Sequence, residues 1–237
     1  MNNNTSKDKY SNFQNEKIIF SADYKAYNNK PPDEEVGRVS YSVLNGPCFD
    51  FTIKDIAYTI AKGVTVSPAI FIRERGIDGF YATQSIWLDF DSKYKIITPE
   101  KVYDMLKECG IQPNLFYNTY SHTIDHPKFR YVISLDQIIK NGYAYKYLLE
   151  GFCTFFTEND ISFVDEGCVE DISRLFFATR PSVLVDEVNN EVIPIDEWVN
   201  DKQVIYYSNR HNKYQDIKLF VDSINKKPFD KNFSSGS

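Results

Sequence analysis

Strand and helix signals alternate through the centre of this 237-residue chain, and their order predicts an α+β fold in which a mixed or antiparallel sheet carries helices on one side. Three observations carry that prediction. An apolar run over residues 85–90 reads as a strand. Thr98-Pro99-Glu100 then supplies an N-cap, a proline at the first helical position and an acid that suits the helix dipole; Val102, Met105, Leu106 and Cys109 recur at helical spacing, and Gly110 closes the helix. Two further strands, over 114–120 and 129–135, precede a helix over 143–156.

Outside this centre the signals are shorter. Residues 1–14 are rich in Asn, Ser and Lys, and 28–35 form a polar, proline-bearing break, so a flexible N-terminal segment is expected over 1–35. A globular domain is expected over 36–210, with a helix over 53–62 and a short apolar segment at 68–72. Short strands are predicted at 161–165 and 175–178, and a hairpin from 183–185 and 192–195 around Asn189-Asn190. A strand over 204–207 and a helix over 214–224 follow; residues 211–237 read as a docking helix and tail, or a linker to a further domain, and the closing Ser-Ser-Gly-Ser suggests an excised fragment.

The formal net charge of −6 argues against a protein that coats nucleic acid by charge alone, though it leaves room for a local basic groove. Cys48, Cys109, Cys153 and Cys168 contain no Cys-x-x-Cys pair, so reduced thiols are expected and a zinc site is not. With no signal peptide or long apolar span in the sequence, a cytoplasmic protein without membrane partners is expected.

The chemistry concentrates in three clusters. In the first, Trp87-Leu88-Asp89-Phe90-Asp91, side chains at i and i+2 of a strand share a face, so Asp89 and Asp91 project together from a strand end. Two anions held that close call for a counter-charge, and Mg²⁺ or Mn²⁺ suits carboxylate oxygens. An isolated Asp-x-Asp would be no more than an acidic turn; the other clusters shift that balance. The second runs from Tyr117 to Thr123 and on to Pro127-Lys128-Phe129-Arg130. It places Ser121 and His122 beside Lys128 and Arg130, an anion-binding wall in which arginine's planar fork matches phosphate oxygens. His126 is the near competitor of His122. In the third, Asp165 ends an apolar segment as Asp89 does and could add a third carboxylate, with Asp160 and Asp171 as rivals and Arg174 close by.

Taken in order, Leu-Asp89-Phe-Asp91, Tyr-Ser-His122-Thr with Pro-Lys128-Phe-Arg130, Val-Asp165 and Asp171-Ile-Ser-Arg174-Leu-Phe-Phe resemble the catalytic core of the archaeo-eukaryotic primase (AEP) superfamily, over residues 85–180. The similarity is to the primase-polymerases of plasmids, phages and other mobile elements. It implies a modified RRM-like sheet packed on a smaller N-terminal α/β unit. It also implies synthesis of primers or DNA on a single-stranded or primed template from nucleoside triphosphates. By that resemblance Asp89, Asp91 and Asp165 hold two Mg²⁺ or Mn²⁺ ions, and His122, with Ser121, Lys128, Arg130 and Arg174, engages the nucleotide; a helicase is a possible partner. The family's second motif places Ser two residues before His, whereas here Tyr120 stands there and Ser121 directly precedes His122.

Other Asp-x-Asp enzymes fit less well. A haloacid-dehalogenase-like phosphatase expects Thr or Val where Lys93 stands, and a metal-dependent glycosyltransferase leaves the Ser-His-Thr and Pro-Lys-Phe-Arg blocks unexplained. A non-catalytic replication-initiation or DNA-binding protein, with its aromatics as core or stacking platforms, is the alternative from another class.

Overall fold

The structure, a computed structural model, describes residues 18–46, 48–91, 97–108, 113–158, 167, 171–179 and 185–187. It is an α+β fold of two antiparallel sheets.

The first sheet has the order β2-β1-β3, from β1 (Ile18–Ala26), β2 (Cys48–Phe51) and β3 (Val64–Ser67). Helices α1 (Asp33–Asn45) and α2 (Ile53–Ala61) connect these strands in chain order. The expectation of a flexible segment through residue 35 is corrected here. Ile18, Phe20 and Ala22 alternate into the core, which makes β1 the central strand of a sheet, so the ordered unit starts well before residue 36. Three acids, Asp33, Glu34 and Glu35, fill the first turn of α1 directly after Pro32 and complement its dipole. In α2, Thr52 and Asp55 form a reciprocal capping box, and Ile53, Ile56 and Ile60 form the buried stripe.

An ionic cluster ties α1 to β1. Arg38 donates to Asp23 at 2.7 and 3.1 Å and to Glu35 at 2.7 Å, and the Tyr27 hydroxyl donates to Glu35 at 2.6 Å. Hydrogen bonds from Tyr27, then Arg38 and Lys25, hold the Glu35 carboxyl at about 2, against an ordinary 4.5. A depressed acid stabilises the fold above its unfolded pKa, and that contribution disappears as pH falls from about 4.5 toward about 2. Wild-type urea midpoints should therefore drop through this window more steeply than those of Glu35→Gln; parallel curves would contradict the assignment.

The chain passes between sheets at Pro68. The second sheet has the order β4-β5-β7-β6-β8, with β4 (Ala69–Phe71), β5 (Phe80–Asp91), β6 (Leu115–Asn118), β7 (Lys128–Ile139) and β8 (Val185–Glu187). The carbonyls at the crossing are satisfied locally, by Thr83 Oγ1 on Pro68 O and by Ser21 and Ser67 Oγ on Ala69 O. Helices α3 (Pro99–Glu108) and α4 (Gly142–Glu158) cover one face of this sheet.

Long strands β5 and β7 alternate between two cores. Ile86, Leu88 and Phe90, with Phe129, Tyr131 and Ile133, pack toward α3 and α4. Trp87 and Val132 face the other way, onto β1, β3 and α2. All strand pairings are antiparallel among the described residues, and helices lie on one face of the larger sheet while the N-terminal sheet with α2 packs on the other. The strand expected at 175–178 is reduced to a single bridge between Phe176 and Val66. Of the expected hairpin only Val185 is described, as the start of a strand pairing with β6. The elements expected at 161–165, 192–195, 204–207 and 214–224 lie outside the described residues. Among the described residues no helix is long and apolar enough to cross a membrane.

Candidate functional site

Antiparallel register sets the site. Asp89 lies directly opposite Arg130 and Asp91 directly opposite Lys128, so the acid-x-acid end of β5 meets the Lys-x-Arg start of β7 on one face. Lys128 Nζ lies 2.9 Å from Asp91 Oδ2, and Arg130 Nη2 donates to Asp89 Oδ2 at 3.0 Å. Arg174 Nη2 approaches the same Asp89 oxygen at 3.5 Å. The counter-charges that the acidic pair requires are thus supplied in part by the neighbouring strand.

Arg130 has a different position from the one expected of a phosphate ligand. It is 6% exposed, and besides Asp89 it donates to the Tyr117 hydroxyl at 3.1 Å and to the Phe177 carbonyl. Its two terminal nitrogens are committed to these partners, which makes it the buried counter-ion of Asp89. Burial works against its charge, yet Asp89 and then Tyr117 outweigh that and raise its pKa above the ordinary value.

Asp89, Asp91, Ser121, Lys128, Arg130 and Arg174 all line one cleft of about 460 Å³. Lys30, Arg75, Asp171 and Ser173 line it as well, so five cationic side chains face three carboxylates. An acidic chain therefore carries a cleft with an excess of positive charge, the local basic groove that its net charge of −6 had left open. Lys30 and Arg75 escaped the sequence reading because they come from connections far from the motif blocks; the Arg-x-Arg-Gly beginning at Arg73 was the available signal. Asp171, a rival for the metal, caps its own turn by accepting from the Ser173 N–H at 2.9 Å.

His122 is outside the cleft lining, in the turn between β6 and β7. Its Nδ1 accepts the Lys128 N–H at 3.1 Å, so the neutral ring carries its proton on Nε2. Burial pushes its pKa below the ordinary 6.5.

The structure also accounts for Tyr120 in place of serine. Its hydroxyl donates to the Tyr27 carbonyl at 2.7 Å, linking the β6–β7 turn to the N-terminal sheet, a span a serine side chain is too short to cross. Gly63 completes the junction with φ +85°; a Cβ there would lie 2.0 Å from Tyr27 O. Burial pushes the Tyr120 phenol up to about 12. Tyr120→Phe should cost about 1 kcal/mol in urea unfolding, because it removes the donor to a part-buried carbonyl; an unchanged midpoint would remove the hydroxyl from the account.

The donor set suits a hard divalent cation. Among the described residues, the protein contacts of both Asp89 and Asp91 fall on Oδ2, leaving Oδ1 of each without a protein partner. Asp165 lies outside the described residues, and among those described no group of three or more His, Cys, Asp or Glu is arranged to hold a metal.

No family model matches the chain, and no curated protein matches it. Among solved structures it is similar to the AEP domain of the cyanophage S-2L primase-polymerase (PrimPol), at 9% identity over 78% of this chain and 88% of that one, with a TM-score of 0.43. A likeness of that degree assigns no residue and no activity.

Proposed function

We propose that the chain is a nucleotidyltransferase of the primase-polymerase type, extending a nucleic-acid strand on a single-stranded or primed DNA template from nucleoside triphosphates. One observation carries the reading: Asp89 and Asp91 stand side by side, each with Oδ1 available, in a cleft whose cations outnumber its acids. A site for a neutral or cationic substrate has no use for that excess, whereas a triphosphate bound with divalent ions matches both halves of it.

In this reading Asp89 and Asp91 would hold Mg²⁺ or Mn²⁺, with Asp165 as the expected third ligand. When bound, such ions lower the pKa of an attacking hydroxyl and neutralise a leaving pyrophosphate. Arg130 and Lys128 hold the two carboxylates in orientation, the part played by the hydrogen-bonding partners of ligands in other metal sites. Ser121 and Arg174 contact the nucleotide's phosphates, and neutral His122, whose Nδ1 is taken by the Lys128 N–H, keeps Nε2 as its donor toward them. The 3′-hydroxyl oxygen bonds to the α-phosphorus, the bond from that phosphorus to the bridging oxygen breaks, pyrophosphate leaves with the electron pair, and the hydroxyl proton passes to solvent.

Incorporation of labelled nucleotides by the purified chain on a primed template tests this directly. Product is expected with Mg²⁺ or Mn²⁺ and none in EDTA. No product with either ion, from both ribonucleotides and deoxyribonucleotides, would reject the proposal.

A further inference from the structure

Two cations of the cleft stand outside its ion pairs among the described residues. Lys128, Arg130 and Arg174 all touch Asp89 or Asp91. Arg75 and Lys30 form no ion pair among the described residues, although both line the same cleft.

Arg75 lies on the connection from β4 to β5, and its Nη1 donates to Ser40 Oγ on α1 at 2.6 Å. Its Nε is buried without any hydrogen-bond partner. A buried, unsatisfied guanidinium nitrogen is costly and calls for an explanation, and a ligand that accepts from it supplies one. The connection that carries it is held in a demanding path: Arg73 has φ +73°, and Gly79 passes so close to Glu74 that a Cβ would sit 1.9 Å from its carbonyl oxygen. Burial lowers the pKa of Arg75, with Asp171 only partly offsetting it, as expected of a cation short of negative partners. Lys30, exposed at the entrance of α1, holds its ammonium 5.8 Å from the Phe177 ring centroid and faces the same space.

We propose that Arg75 and Lys30 form a phosphoryl-binding subsite of the cleft, separate from the Asp89 and Asp91 end and contributed by the N-terminal half of the chain. Arg75 offers a partly desolvated planar donor pair to tetrahedral phosphate oxygens, and Lys30 adds a mobile charge at the mouth. The choice of phosphate over another anion rests on the nucleotide reading above; the existence of an anion subsite does not. The phosphate can come from the polyphosphate tail of a nucleotide or from the diester backbone of a strand.

Calorimetric titration in EDTA, with inorganic tripolyphosphate and separately with a short single-stranded DNA lacking terminal phosphates, tests the subsite without requiring catalysis. Wild type should bind at least one probe, and Arg75→Gln should weaken that binding about tenfold or more. Lys30→Gln should weaken it a few-fold; being exposed, this variant decides the matter if Arg75→Gln does not fold. Loss confined to tripolyphosphate assigns the subsite to a nucleotide tail, and loss confined to DNA assigns it to a strand. Wild type binding neither probe, or both variants binding as wild type does, would overturn the subsite. Incorporation assayed in parallel keeps the outcomes apart: lost binding without polymerase activity rejects only the nucleotidyl-transfer reading, and activity with unaltered binding in both variants rejects only the subsite.

Discussion

Arg130→Met should destabilise the protein by about 3 kcal/mol, the largest stability effect expected of any single change at the site. The substitution leaves Asp89, which is 7% exposed, without its closest cation, and strips donors from the Tyr117 hydroxyl and the Phe177 carbonyl. Arg174 at 3.5 Å retains some compensation, which places the estimate at the lower end of the range for broken buried pairs. Arg130→Lys should recover only part of the loss, since one ammonium cannot address three partners in the fork geometry of a guanidinium. Adding Asp89→Asn to Arg130→Met should restore most of it, because the uncompensated buried charge is then gone. Urea midpoints at unchanged slope measure all three. An Arg130→Met midpoint equal to wild type would mean that Arg130 is not the buried partner of Asp89.

Asp91→Asn should reduce nucleotide incorporation on the order of a thousandfold while leaving the fold nearly intact. Asp91 is the cleaner probe of the acidic pair because its partner, Lys128, is part-exposed: the side chains keep 20% and 30% of their accessibility. Losing this part-buried pair costs on the order of 1 kcal/mol, well below the loss expected at Arg130. Loss of activity with a little-changed urea midpoint would therefore report chemistry rather than unfolding, a separation that Asp89 cannot offer. Full activity in Asp91→Asn would remove the carboxylate pair from the mechanism.

Much of the architecture was legible in local pattern. The run ending at Asp91 is apolar and forms a strand buried on both faces, and Thr98-Pro99-Glu100 announces a helix that begins at Pro99. The helix predicted over 53–62 appears as Ile53–Ala61. β1 was missed because nine residues flanked by polar, proline-bearing sequence resemble a tail until β2 and β3 pair with both of its edges. Pairing of Ser21 with Cys48 on one side and with Ser67 on the other leaves no trace in local composition. For the same reason the sequence placed Asp89, Asp91, Lys128 and Arg130 in separate clusters, while the register of β5 against β7 makes them two cross-strand pairs. Arg130 reads as a phosphate ligand in isolation and as a buried counter-ion in context. Tyr120 looks like a departure from a motif and is instead an anchor to the Tyr27 carbonyl. Arg75 needed three dimensions, since thirteen residues, a glycine-bearing loop among them, separate it from Asp89 in the chain.

A crystal structure of the chain soaked with Mn²⁺ and a non-hydrolysable nucleoside triphosphate tests the central claim most directly. Anomalous density for manganese should lie against Oδ1 of Asp89 and Asp91, with the phosphates in the cleft lined by Ser121, Arg174 and Arg75. Manganese density away from both carboxylates, or a nucleotide bound outside that cleft, would contradict it.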